Sequence, residues 1–235
     1  MSASLATSRT KIPPASSGTK RPNSSTNDSN SDLDMLLWRL RARTEANEDL
    51  GTLIGITSCG PKSGVSTLAT NLAIRASMNH LGPVLLIDAN INAPRLHRIF
   101  RQGGKVGLID LLVGSSTPDE AFQRTSADDL DLLPLGSKET LRSARILPGN
   151  YSDFATWIRE HYRTVFIDLP SIESMRYALM LARLTDTTIV AIRSEAIRRS
   201  QVVAAIERLS EDGVKIGGTV LTRRRIYTPR WFRYA

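Results

Sequence analysis

Six short apolar runs, each closed off by polar or glycine-containing residues, limit what this chain can fold into. They cover residues 53–57, 84–88, 130–134, 165–168, 188–192 and 216–221. Between them lie stretches of helical length, notably 64–79, 151–161, 175–183 and 196–211. Short continuous apolar runs separated by helices read as strands buried on both faces. The pattern predicts an α/β fold, doubly wound, with a mostly parallel sheet and helices on both faces; its crossovers are right-handed. One such domain accounts for residues 51–221, and no internal repeat is present.

The flanks differ in composition. Residues 1–31 are rich in Ser, Thr, Asn, Pro and Lys. They cannot bury enough apolar surface to offset their ordering entropy and are expected to be disordered. Residues 32–50 are expected to hold a leading helix, with Asp32 as its cap and an apolar face of Leu33, Leu36, Leu37 and Leu40. The tail, 222–235, carries Arg223, Arg224, Arg225, Arg230 and Arg233 among aromatics and no acid, within a chain of net charge +8. Such a tail suits anionic lipid headgroups or an acidic partner, the alternative being a solvated basic end. No nucleic-acid module is recognisable, so no nucleic acid is expected. The one cysteine, Cys59, rules out an intramolecular disulfide or a zinc cluster and fits a reducing cytoplasm. No apolar run approaches the ~20 residues needed to span a bilayer, and the polar N-terminus lacks a secretory h-region.

The first strand runs into Cys59-Gly60-Pro61-Lys62-Ser63-Gly64-Val65-Ser66-Thr67 and then a helix. Strand, glycine loop and helix N-terminus are the parts of a phosphate cradle, because loop amides and the helix dipole both favour an anion. Gly64 and Ser66 stand where G-x-x-x-x-G-K-[ST] places its second glycine and its Mg²⁺-binding hydroxyl, while Gly60 lies four residues before Gly64, one position off the motif's first glycine. Its lysine, which reaches the β/γ-phosphates, is absent: Val65 occupies the position, and only Lys62, inside the loop, offers a substitute. The loop alone also allows a tight turn with no nucleotide.

Two further apolar runs end in carboxylates, Ile87-Asp88 and Ile167-Asp168. Ligands of doubly wound sheets bind at the carboxyl ends of strands. Both aspartates are therefore expected beside the loop, holding the water shell of Mg²⁺ together with Ser66. Each could instead cap a following helix.

Together these segments resemble the bacterial tyrosine kinases, the cytoplasmic partners of polysaccharide co-polymerases. That family belongs to the deviant-Walker P-loop group, with the ParA and MinD-type ATPases. The similarity runs from about residue 52 to the C-terminus. It is carried by Ile56-Thr57-Ser58 through Asn71-Leu72-Ala73, by Leu86-Ile87-Asp88-Ala89 with Pro94-Arg95-Leu96-His97, and by 107–114, 132–136 and Phe166-Ile167-Asp168-Leu169-Pro170. The closing 218–221 and 227–231 add to it. The resemblance implies ATP or ADP with Mg²⁺ as cofactors. Gly60, Lys62, Ser63, Gly64, Val65, Ser66 and Thr67 would bind the nucleotide, Ser66, Asp88 and Asp168 the metal, and Asp88 would be the candidate catalytic group. It further implies a membrane co-polymerase as partner, a homo-oligomer, and a cytoplasmic location at the inner face of the cell membrane.

The departures matter as much. The family's lysine is Val65, and its expected general base is Asn90, which cannot accept a proton at neutral pH. The basic residues that follow are reduced to Asn92 and Ala93, and only Tyr227 and Tyr234 stand in the tail. Removing a preorganised charge costs ~10²–10³ in rate and losing a base ~10²–10⁴. The expectation is a degenerate, pseudokinase-like member that still serves as a scaffold in exopolysaccharide synthesis. The alternatives are a ParA/MinD-like positioning ATPase, which would want a lysine at the position of Gly60, and an interaction protein without nucleotide. His97 reads as a packing or surface residue, His80 and His161 as surface residues, Cys59 as a buried small residue, and Phe154, Trp157 and Ile158 as a core-facing helix stripe.

Overall fold

The structure, a computed structural model, describes residues 24–43, 50–80, 82–143, 146–194 and 197–222. In chain order the elements are α1 (Ser24–Arg43), β1 (Thr52–Ser58), α2 (Val65–Met78), β2 (Val84–Asp88), α3 (Leu96–Ile99), α4 (Leu108–Leu112), α5 (Pro118–Ala121), β3 (Gln123–Arg124), β4 (Leu130–Leu133), α6 (Lys138–Ser143), α7 (Pro148–His161), β5 (Thr164–Ser171), a 3₁₀ turn (Ile172–Tyr177), α8 (Leu179–Leu184), β6 (Thr187–Arg193), α9 (Arg199–Glu211) and β7 (Ile216–Thr222). The strands form one seven-stranded sheet in the order β3-β4-β2-β5-β1-β6-β7. Every pairing is parallel except the short β3 against β4. The six apolar runs are β1, β2, β4, β5, β6 and β7, and the doubly wound architecture is the one their spacing predicts.

Both sheet faces are dry because both sets of alternating side chains are apolar. Ile54, Ile56, Val84, Leu86 and Phe166 meet Leu68, Ala69, Leu72, Ala73 and Ala76 of α2. Leu53, Leu85, Ile87, Val165 and Ile167 meet Tyr151, Ala155 and Ile158 of α7, with Leu181 of α8 and Leu209 of α9. Each such side chain contributes ~1.5–3 kcal/mol by leaving water. Ile158 is fully buried while Phe154 and Trp157 flank the same core, as their spacing predicts.

Several boundaries differ from the sequence expectation. The leading helix starts at Ser24, not at residue 32, so Asp32 lies inside it rather than capping it. Leu37 and Leu40 anchor α1 on α2, and Asp34 accepts from Arg75 Nε (2.9 Å) and Asn79 Nδ2 (3.2 Å). Once that stripe nucleates the helix, adding polar turns is cheap. α7 begins at Pro148, whose fixed φ suits a first helical position; Asn150 Oδ1 accepts the Leu147 amide at 2.9 Å. The single helix expected over 175–183 divides into the 3₁₀ turn and α8, with Ser174 non-helical at φ −114°, ψ 16°. The reading of residues 1–23 as disordered, the end of the leading helix beyond 43 and the tail from 223 lie outside the described residues.

Candidate nucleotide site

Parallel register decides where the two acidic strand ends go. Asp88 of β2 and Asp168 of β5 are paired residues, and Ile56 of β1 pairs with Asp168 on the other side. Side chains alternate along a strand, so both carboxylates leave the sheet on the face of Leu86 and Phe166, the face that α2 covers. Both are fully buried.

The loop between β1 and α2 reaches the same edge. Lys62 (φ 59°) and Gly64 (φ 81°) adopt left-handed conformations that fold it back on itself. Three hydroxyls hold its carbonyls: those of Ser58 and Ser63 donate to Gly60 O at 2.7 and 2.8 Å, and Thr222, at the end of β7, donates to Ser63 O at 2.6 Å. The Thr57 hydroxyl ties the end of β1 to Pro170 O at 2.6 Å. With the carbonyls engaged, the amides are left over. Among the described residues, the N–H groups of Lys62, Ser63, Gly64, Val65, Ser66 and Thr67 meet no acceptor. Gly64 caps the fourteen-residue α2 without any side-chain contact. Orphan amides at a helix N-terminus form a ready anion site.

The carboxylates differ in how they are satisfied. Asp88 Oδ2 accepts the amides of Arg95 (2.9 Å) and Leu96 (3.0 Å), and Oδ1 that of Asn90 (3.1 Å). It therefore caps the turn into α3, the alternative that the sequence left open. Burial raises its pKa, opposed by those three amides and by the charge of His97. Asp168 makes no hydrogen bond of normal geometry through either oxygen, although both are shielded from water. Burial and then the neighbouring Asp88 push its pKa up to about 8, against the pull of the Ser66 hydroxyl and the Arg95 charge. An orphaned buried carboxyl group costs free energy unless something binds it.

That vacancy in hydrogen bonding is what a cation would satisfy. Among the described residues no cluster of three His, Cys, Asp or Glu side chains exists. Two carboxylates and one hydroxyl nevertheless suit Mg²⁺, which keeps several waters and takes its other ligands from phosphate. The residues present fit that ion: Asp168, Asp88 and Ser66 would hold it, and it would neutralise phosphate charge.

The other expected residues divide by position. Val65 is 8% exposed, and its side chain joins the core under α2, so only its amide faces the loop. Lys62 and Thr67 are exposed. Asn90 sits in the turn after β2, where its side chain accepts the Ala93 amide at 3.2 Å. The residue where the resemblance expects a base is thus a turn-former. His97 packs against Gly104. Cys59 is buried, which raises its thiol pKa. Within 107–114, α4 presents buried Asp110 to the amides of Gly107 (3.0 Å) and Ser137 (3.1 Å), a structural clasp. The sequence reading assigned no role to Arg95, Thr222 or Thr57, since each acts across contacts that only the fold creates. A separate cavity of about 450 Å³ opens on the α9 side of the loop, lined by Cys59, Pro61, Glu173 and Arg208 among others, and neither carboxylate borders it.

No family model matches the chain. It is 27% identical to the Staphylococcus aureus protein CapB, assigned as a tyrosine-protein kinase, over 78% of this chain and 79% of that one. It is 28% identical to the tyrosine-protein kinase YwqD of Bacillus subtilis, over 73% and 72% respectively. The tyrosine-protein kinase Etk of Escherichia coli is 24% identical over 74% of this chain, which spans only 24% of that longer protein. Among solved structures, the chimerical protein CapA2B2 superposes with a TM-score of 0.66 at 27% identity, covering 79% of this chain and 82% of that one. The septum site-determining protein MinD of Pyrococcus horikoshii, solved with Mg-ADP, matches with a TM-score of 0.62 at 20% identity over 77% and 75%, a likeness of fold.

Proposed function

We propose that this chain, a relative of the bacterial tyrosine kinases in the P-loop superfamily, is a nucleotide-binding scaffold whose phosphotransfer is weak or lost. The observation that carries the binding half is the orphaned Asp168 carboxyl group, buried beside Asp88 at the edge where six amides meet no acceptor. Nucleotide phosphates would lie on the amides of 62–67, with Mg²⁺ between them and the carboxylates. In this reading the amides hold the anion and the carboxylates its metal, without the lysine.

The catalytic half is depleted in two places. Val65 turns into the core and Asn90 closes a turn. The losses need not be additive, but together they leave little charge stabilisation and no base for a tyrosine hydroxyl. Asp88, committed to three amides, is poorly placed to take that role. In this reading the chain works in exopolysaccharide or capsule synthesis, docked on a membrane polysaccharide co-polymerase at the inner face of the cell membrane. It biases chain length or export through its nucleotide-bound state, self-associates there, and its basic tail meets anionic lipid. Among the described residues no helix is long and apolar enough to cross a membrane; in this reading the partner and the tail provide attachment. A MinD-type positioning role is disfavoured by the absence of a lysine at Gly60.

Calorimetric titration with Mg·ADP tests the binding half. Saturable binding is expected for the wild type and a large gain for Val65→Lys, despite the packing that this substitution gives up; no heat from either protein refutes the cradle. Incubation with Mg·ATP tests the other half. Little or no phosphotyrosine should form, and robust self-phosphorylation that disappears in Asp88→Ala would overturn the scaffold reading.

A further inference from the structure

We propose that Arg95 is the phosphate-contacting cation of this site, held beside the Asp88–Asp168 pair in place of the lysine that Val65 has replaced. The inference rests on the nucleotide reading and adds the residue that neutralises the phosphates. A di- or triphosphate on bare amides carries charge that one divalent ion only partly offsets. A second cation at the strand ends would strengthen that binding.

Among the described residues the candidates are few. Val65 has no charge and points into the core. Lys62 is exposed on the loop, in a left-handed backbone conformation at φ 59°. Arg95 is different in three respects. Its backbone is pinned: the amide donates to Asp88 Oδ2 at 2.9 Å, and the carbonyl accepts Arg98 N and Ile99 N, both at 3.0 Å. Its φ of −147° and ψ of −9° place it as the residue that opens α3, directly after Pro94. Its side chain is exposed, and among the described residues the guanidinium forms no hydrogen bond or ion pair.

That last point gives the assignment its chemistry. A guanidinium close to two carboxylates would ordinarily close a bidentate ion pair. Here Asp88 has given its oxygens to amides, and Asp168 is sunk below solvent and unpartnered. The Arg95 amide on Asp88 Oδ2 at 2.9 Å roots the side chain at the same strand ends. A fixed backbone with an uncommitted planar fork is suited to phosphate oxygens, which guanidinium binds bidentately where ammonium binds as a point charge.

The test is titration of the full chain with a fluorescent ADP analogue in Mg²⁺, for wild type, Arg95→Ala, Arg95→Lys and Lys62→Ala. Arg95→Ala should weaken binding by about 10-fold or more, the worth of a charge-assisted contact. Arg95→Lys should recover part of it, and Lys62→Ala should lose less. Competition by adenosine should be equal in wild type and Arg95→Ala, because the loss tracks phosphate. Melting temperatures should be unchanged, since among the described residues the side chain has no partner to lose. Wild-type binding that Arg95→Ala leaves intact overturns the inference and spares the nucleotide reading. So does a larger loss in Lys62→Ala. A drop in melting temperature with Arg95→Lys no better than alanine makes Arg95 structural and also overturns it. If the wild type itself shows no saturable binding, the nucleotide reading fails first.

Discussion

Asp168 keeps a proton at neutral pH that the unfolded chain would have released. Its folded pKa is pushed to about 8 from an ordinary 3.8. A raised carboxyl pKa means that the folded state binds more protons between those values. Its contribution to stability is therefore present below pH 3.8 and lost as pH rises towards about 8. Metal binding must expel that proton, so Mg²⁺ with nucleotide should stabilise the chain more at pH 8 than at pH 6. Asp168→Asn should raise the melting temperature of the ligand-free protein at pH 8 and abolish the Mg·ADP-dependent rise; melting curves across pH, with and without ligand, check both. The two aspartates and Ser66 were legible as chemistry because each follows a strand or a glycine loop. Their unequal satisfaction was not, because it depends on amides seven and eight residues further along the chain reaching back to Asp88.

At the level of elements, α1 and the loop show how short motifs are held. α1 lies on α2 through Leu37 and Leu40, with Asp34 paired to Arg75 at its rim. The pair is partly solvated, so Asp34→Asn should cost far less than removing the packing of Leu37. Leu37→Ala should cost ~2–3 kcal/mol, towards the lower end for a core leucine because α1 sits at the margin of the domain. Urea denaturation distinguishes these outcomes, and equal costs would mean that charge rather than packing docks the helix. The start of α1 escaped sequence reading because residues 24–31 carry no apolar period of their own. The closure of the glycine loop escaped it too, since Thr222 lies 159 residues from the Ser63 carbonyl that it holds.

Across the whole molecule, one arginine joins the ends opposite the nucleotide edge. Arg159 of α7 donates to both oxygens of Asp186 (2.7 and 2.9 Å), to Gly51 O (2.8 Å) and to Leu184 O (3.0 Å). Asp186 in turn accepts the Leu53 amide at 2.8 Å. The cluster ties the starts of β1 and β6 to α7 and α8. Arg159→Ala should cost ~2–3 kcal/mol, and lysine should rescue it poorly because the fork makes four bonds at once; chemical denaturation measures both. By itself the sequence determined the layered architecture, since apolar runs of strand length between helices have few other ways to leave water. It also determined the resemblance to bacterial tyrosine kinases, borne out by the relatives, and that valine and asparagine stand where the resemblance expects a lysine and a base, which are matters of residue identity. The tertiary structure decided that Asp88 is spent on amides, that Val65 turns inward, and that, among the described residues, neither the Asp168 carboxyl group nor the Arg95 guanidinium is committed to a partner. Those outcomes follow from register and burial, which set distances between residues far apart in the chain, and no local pattern encodes them.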